Sequence, residues 1–171
     1  MSESLWPQLR LKAETEEELI EAYRKVYLDT YVRDEEGNQR IFYDWNKSAI
    51  TFAAGAFDHA FSKSKNYRLG TGVHDGGFAH DRARRILWIA EVLKASAGSI
   101  QRYSQTVRNS RGANKKRRTY VVVEENYVVI LDDPKSSTDT YKFVTAIPAN
   151  KSYIDSEIRR KSFLAETKRG G

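Results

Sequence analysis

Residues 100–131 read IQRYSQTVRNSRGANKKRRTYVVVEENYVVIL, and this run decides the fold. Its first third alternates. Tyr103, Gln105 and Val107 point one way in an extended chain, and Arg102, Ser104, Thr106 and Arg108 point the other. Thr119–Val123 and Tyr127–Leu131 are β-branched and apolar, and Glu124-Glu125-Asn126 between them suits a tight hairpin with Asn126 left-handed. Moving outward, Asp132–Ser137 is a loop of turn formers, Thr140–Ile147 is a further strand, and Pro148 closes it. Four strands joined in succession predict an antiparallel meander.

On the N-terminal side the period changes. Leu19, Tyr23, Val26 and Tyr27 share a helical face within Glu14–Tyr31, and Thr15 with Glu18 forms a potential capping box. Residues 34–38 are a turn and Ile41–Trp45 reads as a short strand. Ala49–Phe61 fits strand or helix; the shared face of Phe57, Ala60 and Phe61 favours helix. Gly70, Gly72, Gly76 and Gly77 mark a loop. Phe78–Ala95 reads as the main helix, with Asp81 near its cap, Ile86, Ile89, Ala90 and Leu93 as its apolar stripe and Gly98 as its stop. Lys151–Ala165 reads as a short terminal helix. The expected class is therefore α+β: N-terminal helices, then a four-stranded antiparallel meander sheet, with the helices packed on one face. The expected organisation is an acidic helical segment at 1–39, an α+β domain at 40–150, and a C-terminal short helix and tail at 151–171.

The chain has 171 residues, enough for one domain with its own core. It has no Cys, which excludes disulfides, Cys-ligated zinc, iron–sulfur clusters and thiol catalysis, and fits a reducing cytoplasm. No apolar run approaches the length of a membrane span, and the N-terminus lacks a signal-peptide pattern. The net charge of +6 is unevenly placed. Residues 1–36 hold 5 Lys+Arg against 10 Asp+Glu, and the remaining 135 hold 24 against 13. Between Glu91 and Glu124 there is no acid, only Lys94, Arg102, Arg108, Arg111, Lys115, Lys116, Arg117 and Arg118. Such a stretch suits a polyphosphate; its plainer reading is a solvated basic loop.

The three histidines, His59, His74 and His80, all lie in residues 59–80. Imidazole exchanges protons near neutrality, so it serves as acid or base without a metal. Cleaving RNA needs a group to take the 2′-hydroxyl proton, a group to protonate the leaving 5′-oxygen, and cations for the charge on phosphorus. His59 sits in Phe57-Asp58-His59-Ala60-Phe61, at the edge of an apolar cluster. Its plainer reading is a structural core histidine, and His74 and His80 read equally as loop or capping residues. The spacing of the three histidines and Asp75 matches no familiar zinc site. The glycines match neither a P-loop nor a dinucleotide fingerprint. Arg82, Arg84 and Arg85 open a helix, where bidentate phosphate contacts are favoured; the plainer reading is helix surface with Trp88 in the core. Arg102, Ser104 and Arg108 would line a sheet face suited to a sugar–phosphate backbone.

The order of these motifs resembles that of the phage-borne nucleases of the barnase–EndoU–colicin–RelE group. The resemblance rests on Phe57-Asp58-His59-Ala60-Phe61, Arg82-Ala83 before Trp88-Ile89, a basic connector, Tyr127-Val128-Val129-Ile130-Leu131 and Tyr141-Lys142-Phe143-Val144-Thr145-Ala146, spanning about residues 40–148. It implies a metal-independent ribonuclease, often a toxin acting on tRNA or ribosome-bound RNA. It implies a catalytic His59, a phosphate-contacting Arg82 and Thr145 at the site. No paired glutamate base of the barnase kind is present, so the general base stays open among His74, His80 and the substrate itself.

The expected function is a cofactor-free and metal-free endoribonuclease leaving 2′,3′-cyclic phosphate ends, from a phage or mobile-element context and acting in the cytoplasm of a bacterial host. His59, Arg82, Thr145, His80 and Arg85 are its candidate catalytic residues. Arg102, Ser104, Arg108, Arg111, Lys115, Lys116, Arg117 and Arg118 are its candidate RNA contacts. The expected partners are RNA and an inhibitory or host protein docked on the acidic N-terminal helix, with no membrane. The rival readings are a non-catalytic RNA- or DNA-binding module and an interaction protein that blocks a host factor.

Overall fold

A computed structural model describes residues 4–62, 77–108 and 111–170. In chain order it runs α1 (Glu16–Tyr27), a wider π-helical turn (Leu28–Val32), β1 (Phe42–Tyr43), β2 (Ala49–Thr51), α2 (Ala56–Ala60), α3 (His80–Ala83) and α4 (Trp88–Lys94). The second half contains β3 (Ser99–Arg108), β4 (Asn114–Val122), β5 (Tyr127–Asp132), β6 (Tyr141–Pro148), α5 (Lys151–Tyr153), a second π-helical turn (Ile154–Arg159) and β7 (Phe163–Arg169).

The strands form one seven-stranded sheet in the order β1-β2-β6-β5-β4-β3-β7. β3 to β6 pair antiparallel in succession, and Asn126 takes its left-handed turn with φ 49°. The expected four-stranded antiparallel meander with helices on one face is nevertheless wrong. The sheet is mixed and curls into a half-barrel, because β2 joins β6 in parallel and β7 joins the far side of β3. β1 falls within the expected short strand Ile41–Trp45, but two strands escaped the reading for identifiable reasons. β2 spans only 3 residues, too short to display a period. β7 is an exposed edge strand with no apolar side to alternate with. The single-face expectation fails as well. One face of the sheet buries Ile100, Tyr120, Val122, Tyr127 and Val129 in the main core. The other buries Tyr103, Val121 and Val128 against Ile154 and Ile158 of the second π turn.

The helices are few and mostly short. α1 begins where Thr15 Oγ1 accepts from the Glu18 amide at 3.1 Å, and it buries Tyr23 and Tyr27. The expected helix over 78–95 is broken between α3 and α4. The carbonyls freed by the break are taken by tyrosines from elsewhere: Tyr31 donates to Ile86 O at 2.6 Å and Tyr127 to Arg85 O at 3.3 Å. The expected terminal helix over 151–165 lasts only through α5 and the second π turn before the chain extends as β7. Asn150 starts α5 by accepting from Tyr153 N at 2.7 Å.

The main core is a lattice of rings. Tyr27 alone meets Tyr31, Phe52, Phe57, Phe61 and Phe143 at centroid separations of 5.7–6.3 Å. Residues before α1 share this core: Trp6 packs edge-on to Trp88 at 5.6 Å, and Trp88 Nε1 donates to Pro7 O at 2.9 Å. Among the described residues no helix is long and apolar enough to cross a membrane.

Candidate functional site

Two loci gather chemically capable side chains. The first lies beside the outer half of β6. There α2 ends, and its final carbonyl, that of Ala60, is approached from two directions. Arg82 Nη1, from α3, donates to Ala60 O at 3.3 Å and to Ser62 O at 3.2 Å. Thr145 Oγ1, from β6, donates to Ala60 O at 3.4 Å. His59 is the residue before that carbonyl and is exposed on α2. Two residues 63 positions apart in sequence, Arg82 and Thr145, thus meet at the backbone carbonyl that follows His59.

Burial pulls the Arg82 pKa below its ordinary value, against the raising influence of Asp81 and of the phenols of Tyr153 and Tyr127. Tyr153, the last residue of α5 and exposed, lies within electrostatic reach of Arg82, and sequence reading missed it. Burial and Glu157 push its phenol pKa up, while the positive charges of Arg82, Lys161 and Arg117 oppose the rise. Its only sequence signal was the Asn150 cap, which fixes where residue 153 sits.

Two of the candidate catalytic residues are engaged elsewhere. His80 Nε2 lies 3.0 Å from Glu16 Oε1 of α1, with its ring edge-on to Phe78. Arg85 donates to Asp81 O at 2.7 Å and covers the Trp88 ring at 5.2 Å. His74, Asp75 and the glycines before Gly77 lie outside the described residues. Among the described residues no three His, Asp or Glu side chains gather to hold a metal ion.

The second locus is the β3–β4 hairpin. Pairing sorts its side chains by face: Arg102 opposes Tyr120, Ser104 opposes Arg118, Thr106 opposes Lys116 and Arg108 opposes Asn114. At the inner end of this row the cations are already committed. Asp44, fully buried, accepts from Arg118 Nη1 at 3.1 Å and Tyr120 Oη at 2.8 Å, and Arg102 Nη1 lies 3.8 Å away. Arg118 also donates to Tyr141 Oη at 2.6 Å. Arg102 and Arg118 therefore compensate a buried carboxylate rather than face a ligand. On the opposite face Lys115 and Arg117 pair with Asp132 at 2.6 and 3.2 Å. Ser104, Arg108 and Lys116 remain as the exposed outer row, with Arg111 in the connecting turn. Asp44 went unnoticed because Ile41–Trp45 reads as strand; in the fold it is a turn carboxylate that also accepts from the amides of Asn46 and Ser48 at 2.9 and 3.0 Å.

No protein-family model matches this chain, and no curated protein or solved structure shows significant similarity to it.

Proposed function

We propose that this chain is a metal-independent endoribonuclease of structured RNA, tRNA included, that leaves 2′,3′-cyclic phosphate ends. The observation that carries the reading is the meeting of Arg82 and Thr145 at the carbonyl that follows His59. In this reading His59 takes the proton from the 2′-hydroxyl, whose oxygen attacks phosphorus while the bond to the 5′-oxygen breaks. Tyr153, a phenol that is protonated at neutral pH at its ordinary pKa, returns a proton to that leaving oxygen. Arg82 steadies the charge on the phosphorus oxygens and Thr145 orients them. Ser104, Arg108, Arg111 and Lys116 hold the flanking backbone. The absence of Cys suits a bacterial cytoplasm, and a phage or mobile-element origin rests on the resemblance alone. The acidic first turn of α1, Glu16–Glu18, is where a basic inhibitory or host protein would dock.

The test is incubation of the full chain with total tRNA and rRNA in EDTA, followed by end-group analysis. The expected result is cleavage with cyclic phosphate ends that His59→Ala and Tyr153→Phe each reduce by about 10²-fold or more, with RNA affinity retained. RNA affinity without any cleavage by the native chain would instead favour the binding-module reading. That reading draws on the outer basic row, which stands apart from the His59 locus.

A further inference from the structure

Phe163 opens β7 and is 84% exposed, more than any other large apolar side chain among the described residues. Its direction is set by a bulge. Arg102 opposes Glu166 and Tyr103 opposes Leu164, so Ala165 is an extra residue with no partner on β3. Strict alternation from Glu166 would turn Phe163 to the other face of the sheet. The extra residue resets the alternation, so Phe163 opposes Ser104 and shares its face. Re-aiming a side chain in this way is a recurrent use of bulges.

The face it joins is cationic. β3 and β4 contain no Asp or Glu. Ser104, in the row of Phe163, opposes Arg118, whose charge is committed to Asp44. One same-face step along β3, about 7 Å, Thr106 opposes Lys116, which is exposed. A second step of the same length brings the exposed Arg108. The uncovered ring thus stands where the positive charge is neutralised, and the uncommitted cations follow it in line.

An unpaired nucleic-acid strand matches both parts: a base face stacks on the ring, and the phosphates that follow meet the cations. The bases of a helix are stacked on one another and offer the ring no face. An apolar protein surface would cover the ring but leave the cations unanswered.

We propose that Phe163 is a base-stacking platform for an unpaired RNA strand whose phosphates run along Lys116 and Arg108. The platform selects the loops and ends of structured RNA over its helices. That the bound strand flanks a cleavage point rests on the function proposed above; the stacking itself does not.

The test uses the full native chain and a fluorescent 2′-O-methyl oligoribonucleotide, which lacks the free hydroxyl that cleavage requires. Anisotropy is read for the single strand and for its duplex at several salt concentrations. Phe163→Ala is expected to weaken the single strand about tenfold and to leave the duplex unchanged. The slope of log affinity against log salt should stay the same, because stacking releases no counterions. Phe163→Trp should retain the affinity, and the bound strand should quench the added indole. Circular dichroism checks that both variants are folded. No binding by the native chain, a single-strand affinity indifferent to Phe163→Ala, an equal loss on the duplex, or an unquenched indole overturns the proposal. So does a dimer of the native chain, read by sedimentation, that Phe163→Ala dissolves, since a second copy would then cover the ring. Phe163-dependent binding of single strands without cleavage of natural RNA in EDTA sinks only the nuclease. EDTA-resistant, His59-dependent cleavage with Phe163-independent binding sinks the platform alone.

Discussion

Trp45 donates its indole N–H to the carboxylate of Glu166, joining the turn after β1 to the last strand, β7. β1 and β7 are the two edges of the seven-stranded sheet, so this contact holds the curl. Asn46 Nδ2 adds a second bond to Glu166 at 3.2 Å, and Arg102 lies 3.9 Å from the same carboxylate with its guanidinium 5.8 Å from the Trp45 ring. The turn reaches Glu166 because Asp44 is anchored over β3 and β4 by Tyr120, Arg118 and Arg102.

Removing that anchor leaves Arg118 without its carboxylate and Arg102 with Glu166 alone. Asp44→Ala is expected to lower unfolding free energy by about 3 kcal/mol or more, because a buried pair broken on one side strands the other charge. Urea denaturation measures it, and a loss under about 1 kcal/mol would contradict the anchoring role.

The Glu166 carboxyl is held below its ordinary pKa, first by the Trp45 hydrogen bond and then by Asn46 and Arg102. A depressed folded pKa contributes stability above the unfolded value, here 4.5, and that contribution disappears as pH falls through the lower folded value. Thermal melts of the native chain should therefore decline below pH about 4.5, and those of Glu166→Gln should decline less over the same interval. Parallel curves for the two proteins would count against the latch.

Tyr31 ties the break between α3 and α4 to the core, donating to Ile86 O at 2.6 Å and accepting from Ala90 N at 3.1 Å. Tyr31→Phe should cost about 1–3 kcal/mol, since both buried backbone groups lose a partner. A chemical denaturation midpoint indistinguishable from the native one would show that the broken helix re-forms those bonds alone.

The outer row of the hairpin predicts an unequal salt response. Arg108→Ala and Lys116→Ala should each reduce the slope of log affinity for single-stranded RNA against log salt by about 0.7. Lys115→Ala and Arg117→Ala should change it less, since both already pair with Asp132. Fluorescence anisotropy at several salt concentrations distinguishes the two pairs.

Burial pushes the Asp133 carboxyl above its ordinary pKa, against the charges of Arg118 and Lys116. A raised acid favours the folded state below its unfolded pKa of 3.8 and penalises it as pH rises through the folded value. Asp133→Asn should accordingly melt no lower than the native chain at neutral pH, and higher if the uncompensated charge is the dominant cost. A clearly lower melting temperature would mean that the carboxylate supports the fold.

The order of amino acids by itself determined the four central strands, the Asn126 turn, the Thr15 cap and the acid-free basic hairpin, because each follows from local period, propensity or charge. His59 and Arg82 were candidates by residue type and Thr145 by the resemblance alone, but nothing in their spacing required Arg82 and Thr145 to share the Ala60 carbonyl. The tertiary structure decided which cations are free. Arg102 and Arg118 look like ligand-binding residues in a basic run, yet Asp44, more than fifty positions earlier, claims both, and only the curl of the sheet brings it to them. The seventh strand and the covered second face were equally illegible, since pairing and burial of short or exposed segments depend on distant neighbours rather than on their own sequence.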